Sequence, residues 1–190
     1  MTWRPIGIVI LLIAAVIGSR FLYKHMTSEP ATVSFEETAW QMHGYEDITL
    51  KSPFELQKSQ KNVISKLIPG VGKSLQYSYN SRAMSVYLSK FEFNPLFPVN
   101  LDSAAVRELK TIEKLEGAPV LSFEIEPIKK NGIPGRRLIA LSKREGDNLE
   151  IVAELFGEKF KLVQIFIIAP NHEENKLAST RILSSLNFYF

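Results

Sequence analysis

The sequence contains no cysteine, which excludes a thiolate nucleophile, a thiolate-bound metal and any disulfide, and leaves the redox character of its compartment open. Histidine is scarce. Of the three, His25 lies just behind an apolar leader, so His43 and His172 are all the rest of the chain offers for a metal site or a Ser, His and acid set. His43 stands beside a glycine and His172 at a helix start, both contexts that read as surface. His172 and Glu173 match only the opening of a zinc-protease motif, whose second histidine position is Lys176. Net charge is small as well: 23 Lys and Arg against 20 Asp and Glu give +3 and a pI of about 9.0. Three of the cations, Arg4, Arg20 and Lys24, belong to the leader, so the remainder carries 20 charges of each sign. A nucleic-acid binder normally carries a net positive field, and a neutral body lacks one. Internal repeats and low-complexity tracts are also missing.

What is present is one long apolar run, the twelve residues from Ile6 to Ile17. A helix from Trp3 to Tyr23 rises about 30 Å, enough for a bilayer core, with an aromatic ring at each end and with Arg4 and Arg20 placed to snorkel outward. A retained membrane anchor over residues 3–23 is the leading reading. A cleaved signal is the second, but Val16 and Gly18 as the small residues before a cut put Arg20 and Lys24 just past it. A buried core helix is the third. The positive-inside rule leans by about one charge towards a cytoplasmic C-terminal domain. A segment of this kind more often delivers the following domain outward, so the expected topology is single-pass with an extracytoplasmic domain, and a cytosol-facing adaptor is the alternative.

Beyond the leader about 165 residues remain, enough for one domain with a real core. Met26 to Thr32 is polar, contains Pro30 and reads as a tether. Phe35, Trp40 and Met42, a turn at His43 and Gly44, then Tyr45, Ile48 and Leu50 read as two short strands ended by Pro53. Gln57 to Ile68 has helical spacing through Val63, Ile64, Leu67 and Ile68, and Pro69 and Gly70 close it. Gly72, Lys73 and Ser74 match the end of a phosphate-binding loop, but Leu67 occupies the first glycine position and the order is helix to strand; an ordinary turn is expected. Leu75, Tyr77 and Tyr79 with Met84, Val86 and Leu88 form a hairpin, after which the apolar phase moves to Phe91 and Phe93 as a bulge would require. Leu96 and Phe97 then stand between Pro95 and Pro98. Asp102 or Ser103 caps a helix to about Glu116, with Ala105, Val106, Leu109, Ile112 and Leu115 inward. Val120 to Ala169 reads as an antiparallel meander with turns at Asn131 and Gly132, at Gly146 to Asn148 and at Gly157. Phe160 to Ala169 has almost no polar face, so that strand belongs at the sheet centre with helices above and below. Pro170 and Asn171 open a last helix, with Leu177, Ala178, Ile182, Leu183 and Leu186 inward.

These elements give an α+β fold: an α/β/α sandwich with a largely antiparallel sheet and helices on both faces, preceded by one N-terminal transmembrane helix. The expected organisation is an anchor over 1–25, a tether and first strand over 26–44, and a globular domain over 45–190. Three stretches resemble the PsbP-like superfamily, which includes periplasmic DcrB-like proteins and small Ran-binding proteins. They are YEDITLKSPFEL (45–56), the hairpin Leu75 to Phe93, and KLVQIFIIAPNHEENKLASTRILSSLNF (161–188). The resemblance spans roughly residues 45–190, carries no diagnostic motif, and implies the sandwich together with an adaptor, assembly or binding role.

No residue set names a reaction, and no catalytic, cofactor or metal residue is expected. Glu36 with Glu37, or Glu124 with Glu126, are the carboxylate pairs available for acid and base work, and alternation puts the second pair on a solvated strand face. Two surfaces are left as contact candidates. One is the Leu96 and Phe97 loop, whose alternative reading is a loop pinned on its own core. The other is the hairpin carrying Lys129, Lys130, Arg136 and Arg137, a candidate site for anionic lipid or an acidic partner whose alternative is a solvated tip. The expected function is a membrane-tethered, non-enzymatic binding or assembly module of the cell envelope. The alternative is an envelope hydrolase using a hydroxyl and carboxylate site.

Overall fold

Among the described residues, ten strands form two antiparallel sheets and are joined by two helices. The computed structural model describes residues 35, 40–59, 70–116, 119–144 and 146–190. The expected anchor and tether lie outside the described residues, as do Glu36 and Glu37 and most of the helix expected over 57–68. Among the described residues no helix is long and apolar enough to cross a membrane. The compact body runs Val33–Phe190.

Strands β1 (Gln41–Tyr45) and β2 (Ile48–Ser52) pair antiparallel, and β2 also pairs with β10 (Asn187–Phe188) in a small sheet. His43 and Gly44, expected to turn, lie inside β1 opposite Leu50 and Thr49. The chain reverses at Glu46 and Asp47 instead, with Glu46 at φ 59°, because burial of Tyr45, Ile48 and Leu50 locks the register two residues later. Gln57 and Lys58, expected in a helix, form β3 and pair with Ser78 and Tyr77.

The large sheet has the order β3-β4-β5-β9-β8-β7-β6, where β4 is Val71–Asn80, β5 Ser85–Phe93, β6 Val120–Lys130, β7 Ile133–Arg144, β8 Asp147–Glu158 and β9 Lys161–Pro170. Strand β9 is fourth of seven and buried on both sides, as its unbroken apolar run requires. Gly72, Lys73 and Ser74 belong to β4 and are extended, not a turn. The outer strand β6 carries Pro127, which has no N–H to donate and marks an edge position.

Helix α1 (Leu101–Glu116) and helix α2 (Glu173–Ser185) pack on opposite faces of this sheet. On one face Ala104, Ala105 and Leu109 of α1 meet Phe91, Leu138, Ile151, Leu155, Leu162 and Phe166. On the other, Ala178, Ile182 and Leu183 of α2, with Ile48, Leu50 and Phe188 of the small sheet, meet Val86, Leu88, Val163, Ile165 and Ile167. The alternate residues of β9 divide cleanly between these two cores. This explains the phase change after Leu88 without the expected bulge. The β5 register runs unbroken against β9 from Ser85 to Glu92; Val86 and Leu88 face α2, and Phe91 faces α1. The register shift nearby falls in β4, between Val71 and Lys73.

On the α2 face Lys90 would be a buried charge, and it is ion-paired with Asp47 of the β1–β2 turn, tying the small sheet to the large one. At the C-terminal end of α2, Lys130 Nζ donates to the Leu183 carbonyl at 2.8 Å, where a cation also complements the helix dipole. Desolvation lowers the Lys130 pKa, partly offset by the Glu154 carboxylate.

Candidate functional site

The first turn of α1 and the loop before it build a groove of about 300 Å³ on the α1 face. Asn100 Oδ1 accepts the Ser103 N–H at 2.9 Å, so the helix cap is Asn100, ahead of the expected Asp102 or Ser103. Asp102, freed from capping, accepts two hydrogen bonds from Arg136, at 2.6 and 3.2 Å. Those bonds hold its carboxyl below the ordinary carboxylate range. Asn100, Ser103 and Arg107 then fall on one flank of the helix and line the groove. Phe93, Leu96, Phe97, Pro98 and Leu162 supply its apolar walls.

The two residues of the proline-flanked loop part company here. Phe97 lies on Gly70, where an added Cβ would come within 2.5 Å of its ring, so half of the loop is pinned to the body. Leu96 points outward and is 82 % exposed. Its backbone N–H is held by Asn94 Oδ1 at 3.1 Å, and the Phe97 N–H by the Asn94 carbonyl at 2.8 Å, which makes the tip a formed turn.

Beside the groove runs a seam of buried polar groups that the sequence did not reveal. Gln76, Ser89 and Gln164 occupy one cross-strand row of β4, β5 and β9 on the α1 face, and all three are buried. Glu108 of α1 joins them, only 4 % exposed, accepting the Gln164 Nε2 at 3.1 Å. Its signal was positional: Glu108 stands three and four residues after Ala105 and Ala104, on the core stripe of a 3.6-residue repeat, while Val106, expected inward, is exposed. Four buried polar atoms on this face have no hydrogen-bond partner among the described residues: Ser74 Oγ, Gln76 Nε2, Gln164 Oε1 and Arg107 Nε. Native interiors pair nearly all such atoms, and leaving one unpaired costs about 1–3 kcal/mol.

Burial raises the Glu108 pKa, opposed by its hydrogen bond from Gln164 and by Arg107. A carboxyl raised in the folded state contributes fully below its unfolded value and loses that contribution as pH rises through the folded one. The Glu108→Gln variant, neutral at every pH, is therefore expected to melt above wild type at pH 7 by about 2–4 °C, the effect of ~1 kcal/mol in a chain of this size. The gap should close below about pH 4. A constant difference across a pH series of thermal melts would mean that Glu108 does not titrate in this window.

The four cations of the expected basic hairpin are divided between the faces. Arg136 turns to Asp102 on the α1 side. Arg137 turns to the α2 side, where Glu154 and Glu126 take its guanidinium at 2.7 and 3.2 Å. Lys130 is held at Leu183 and lies 5.9 Å from the Phe156 ring centroid; Lys129 is exposed. Glu126, expected in solvent with Glu124, is thus ion-paired. His43 lies within 3.3 Å of the Ser52 carbonyl, and His172 is exposed at the N-cap of α2. Neither lines the groove. On α2, Leu177 is exposed where it was expected inward, and Asn175 and Ser179 are buried instead. Leu177 edges a smaller cleft, about 130 Å³, with Trp40 and Arg181, whose guanidinium sits 4.2 Å from the indole centroid.

No family model and no curated protein matches the chain. Among solved structures, the cyanobacterial PsbP (CyanoP) of Synechocystis sp. PCC 6803 aligns with a TM-score of 0.54 at 13% identity, covering 80% of this chain and 94% of that one. The fold is PsbP-like. Two further structures align less closely. LpqN, involved in cell envelope biogenesis of Mycobacterium tuberculosis, gives a TM-score of 0.45 at 12% identity over 86% of this chain and all of its own. Protein PA94 of unknown function from Pseudomonas aeruginosa gives 0.41 at 11%, over 80% and 98%. At these identities the likeness is one of fold, and the PsbP-like frame leaves the groove, the Leu96 tip and the polar seam to be read from their own chemistry.

Proposed function

We propose that this chain is a membrane-tethered, non-enzymatic binding module of the cell envelope whose contact site is the groove beside α1. The observation that carries the reading is Leu96, a large apolar side chain held in solvent by a formed turn at the mouth of an apolar groove. The apolar leader supports the tether, and the outward delivery usual for segments of this kind supports an extracytoplasmic body, against the one-charge bias of its flanks. The hydrolase reading needs a hydroxyl and a carboxylate converging in an open cleft. Glu108 and Ser89 share a face, but both are buried, and neither lines the groove.

Reporter fusions after Lys24 and after Phe190, paired with carbonate extraction of membranes, test the placement. Activity of both reporters only on the extracytoplasmic side, with the chain retained in the pellet, is the expected result. Full-length chain in the soluble fraction, or activity only on the cytosolic side, would overturn it.

A further inference from the structure

We infer that the groove is a site for a small anionic amphiphile: a single short apolar chain laid against Phe93, Leu96, Phe97 and Leu162, with a carboxylate or phosphate head at Arg107. The inference rests on the binding reading of the groove and names what it takes. Size comes first. A volume of about 300 Å³ is at the small end of ligand sites, with room for about ten non-hydrogen atoms at a liquid-like ~30 Å³ each. That admits one short chain and not a whole two-chain lipid.

Charge comes second. Arg107 is the ionisable side chain in the lining, and its Nε is buried without a hydrogen-bond partner among the described residues. A guanidinium has no acceptor capacity, so only an acceptor completes it, and an anionic oxygen does so most strongly. Glu108 follows it in sequence, but its carboxyl is turned under the helix to Gln164. Polarity comes third. Asn100 and Ser103 stand on the same helix flank as Arg107, so one wall is polar along its length while the loop wall is apolar. An amphiphile matches that division, whereas a purely apolar ligand would leave the Arg107 wall dry and unpaired.

Octanoate, with ten non-hydrogen atoms, is the probe. The full chain, ¹³C-methyl labelled in phosphatidylcholine nanodiscs, is titrated with octanoate, octanol and octylamine, with shifts followed at Leu96, Ala104 and Leu162 and at the distant Ile182. Octanoate is expected to give saturable shifts at the first three and none at Ile182, with a Kd at least tenfold below that of octanol, and octylamine no saturable shift. Arg107→Gln should bring octanoate to the octanol value. Equal affinity for octanoate and octanol, saturable octylamine binding, unchanged octanoate binding in the variant, or no saturation by ~10 mM each overturns the inference. The three-ligand comparison on wild type decides the matter even if the variant fails to fold. The titration is run on whichever fraction holds the full chain, so a chain that does not insert removes the tether and leaves the groove test standing.

Discussion

Phe188→Ala is expected to lower the melting temperature by about 10 °C, although the residue is third from the end of the chain. Terminal residues ordinarily fray and tolerate change. Phe188 differs because β10 carries it into the core: it pairs with Ile48 of β2, and its ring is almost wholly buried. The ring centroid lies 5.0 Å from that of Phe156 on β8 and 5.3 Å from that of Phe190. One side chain therefore joins the small sheet to the large one, on the face that α2 covers. Truncating a buried phenylalanine costs about 3–5 kcal/mol, and each kcal/mol moves the midpoint of a chain this size by about 2–4 °C. Tyr189→Ala, one residue on and exposed, should change stability by no more than about 0.5 kcal/mol. If the two variants melt alike, the C-terminal strand is not docked as described.

The pattern of apolar residues carried most of this architecture, and it failed where a residue type has two physical uses. Asn131 and Gly132 turn as expected, both with positive φ, since an Asn-Gly pair between alternating strands suits a two-residue turn. Gly44 and Gly157 look equally like turns but lie inside β1 and β8. Gly157 serves close approach instead, because a Cβ there would come within 2.8 Å of Val99. The reversals fall on Glu46 and Lys159, charged residues in a left-handed conformation that local propensity does not favour but that core register imposes. The site shows the same ambiguity. Leu96 between two prolines was visible as a contact candidate; Arg107 and Glu108 were not, because a charged pair on an amphipathic helix reads as its wet face. Glu108 had its place on the Ala104 and Ala105 stripe as a signal, whereas only the position of α1 against the loop before it sets Arg107 on the groove. The basic hairpin erred the other way: neighbours in sequence on a strand point to opposite faces, so Arg136 and Arg137 never form one patch.

Gly135→Ala should be the second large loss, about 2–3 kcal/mol, or a fall in melting temperature of about 5–10 °C, from adding a single methyl group. Gly135 lies in β7 opposite Ile128 and Phe156, and a Cβ on it would stand 2.6 Å from the Leu155 carbonyl oxygen and 2.6 Å from the Phe156 ring. A ring can rotate; a ladder carbonyl cannot retreat without weakening the β7–β8 pairing on either side. Gly44→Ala is the matched control, a strand glycine with nothing within 4 Å of the new Cβ, and should be neutral or stabilising by up to ~0.5 kcal/mol. The two residues after Gly135 make its position matter to the groove. Arg136 grips Asp102 in the first turn of α1, and Arg137 grips Glu154 on β8. Displacing β7 outward therefore pulls the anchor from the helix that carries Asn100, Ser103 and Arg107. Gly135→Ala should accordingly weaken octanoate binding even below its melting point, whereas Phe188→Ala, which removes bulk beside the same Phe156 ring without pushing β7 outward, should leave the affinity of the folded protein unchanged. Equal loss of affinity in both variants would show that the two cores are not separable, and that the groove reports on global stability instead of on the seating of α1.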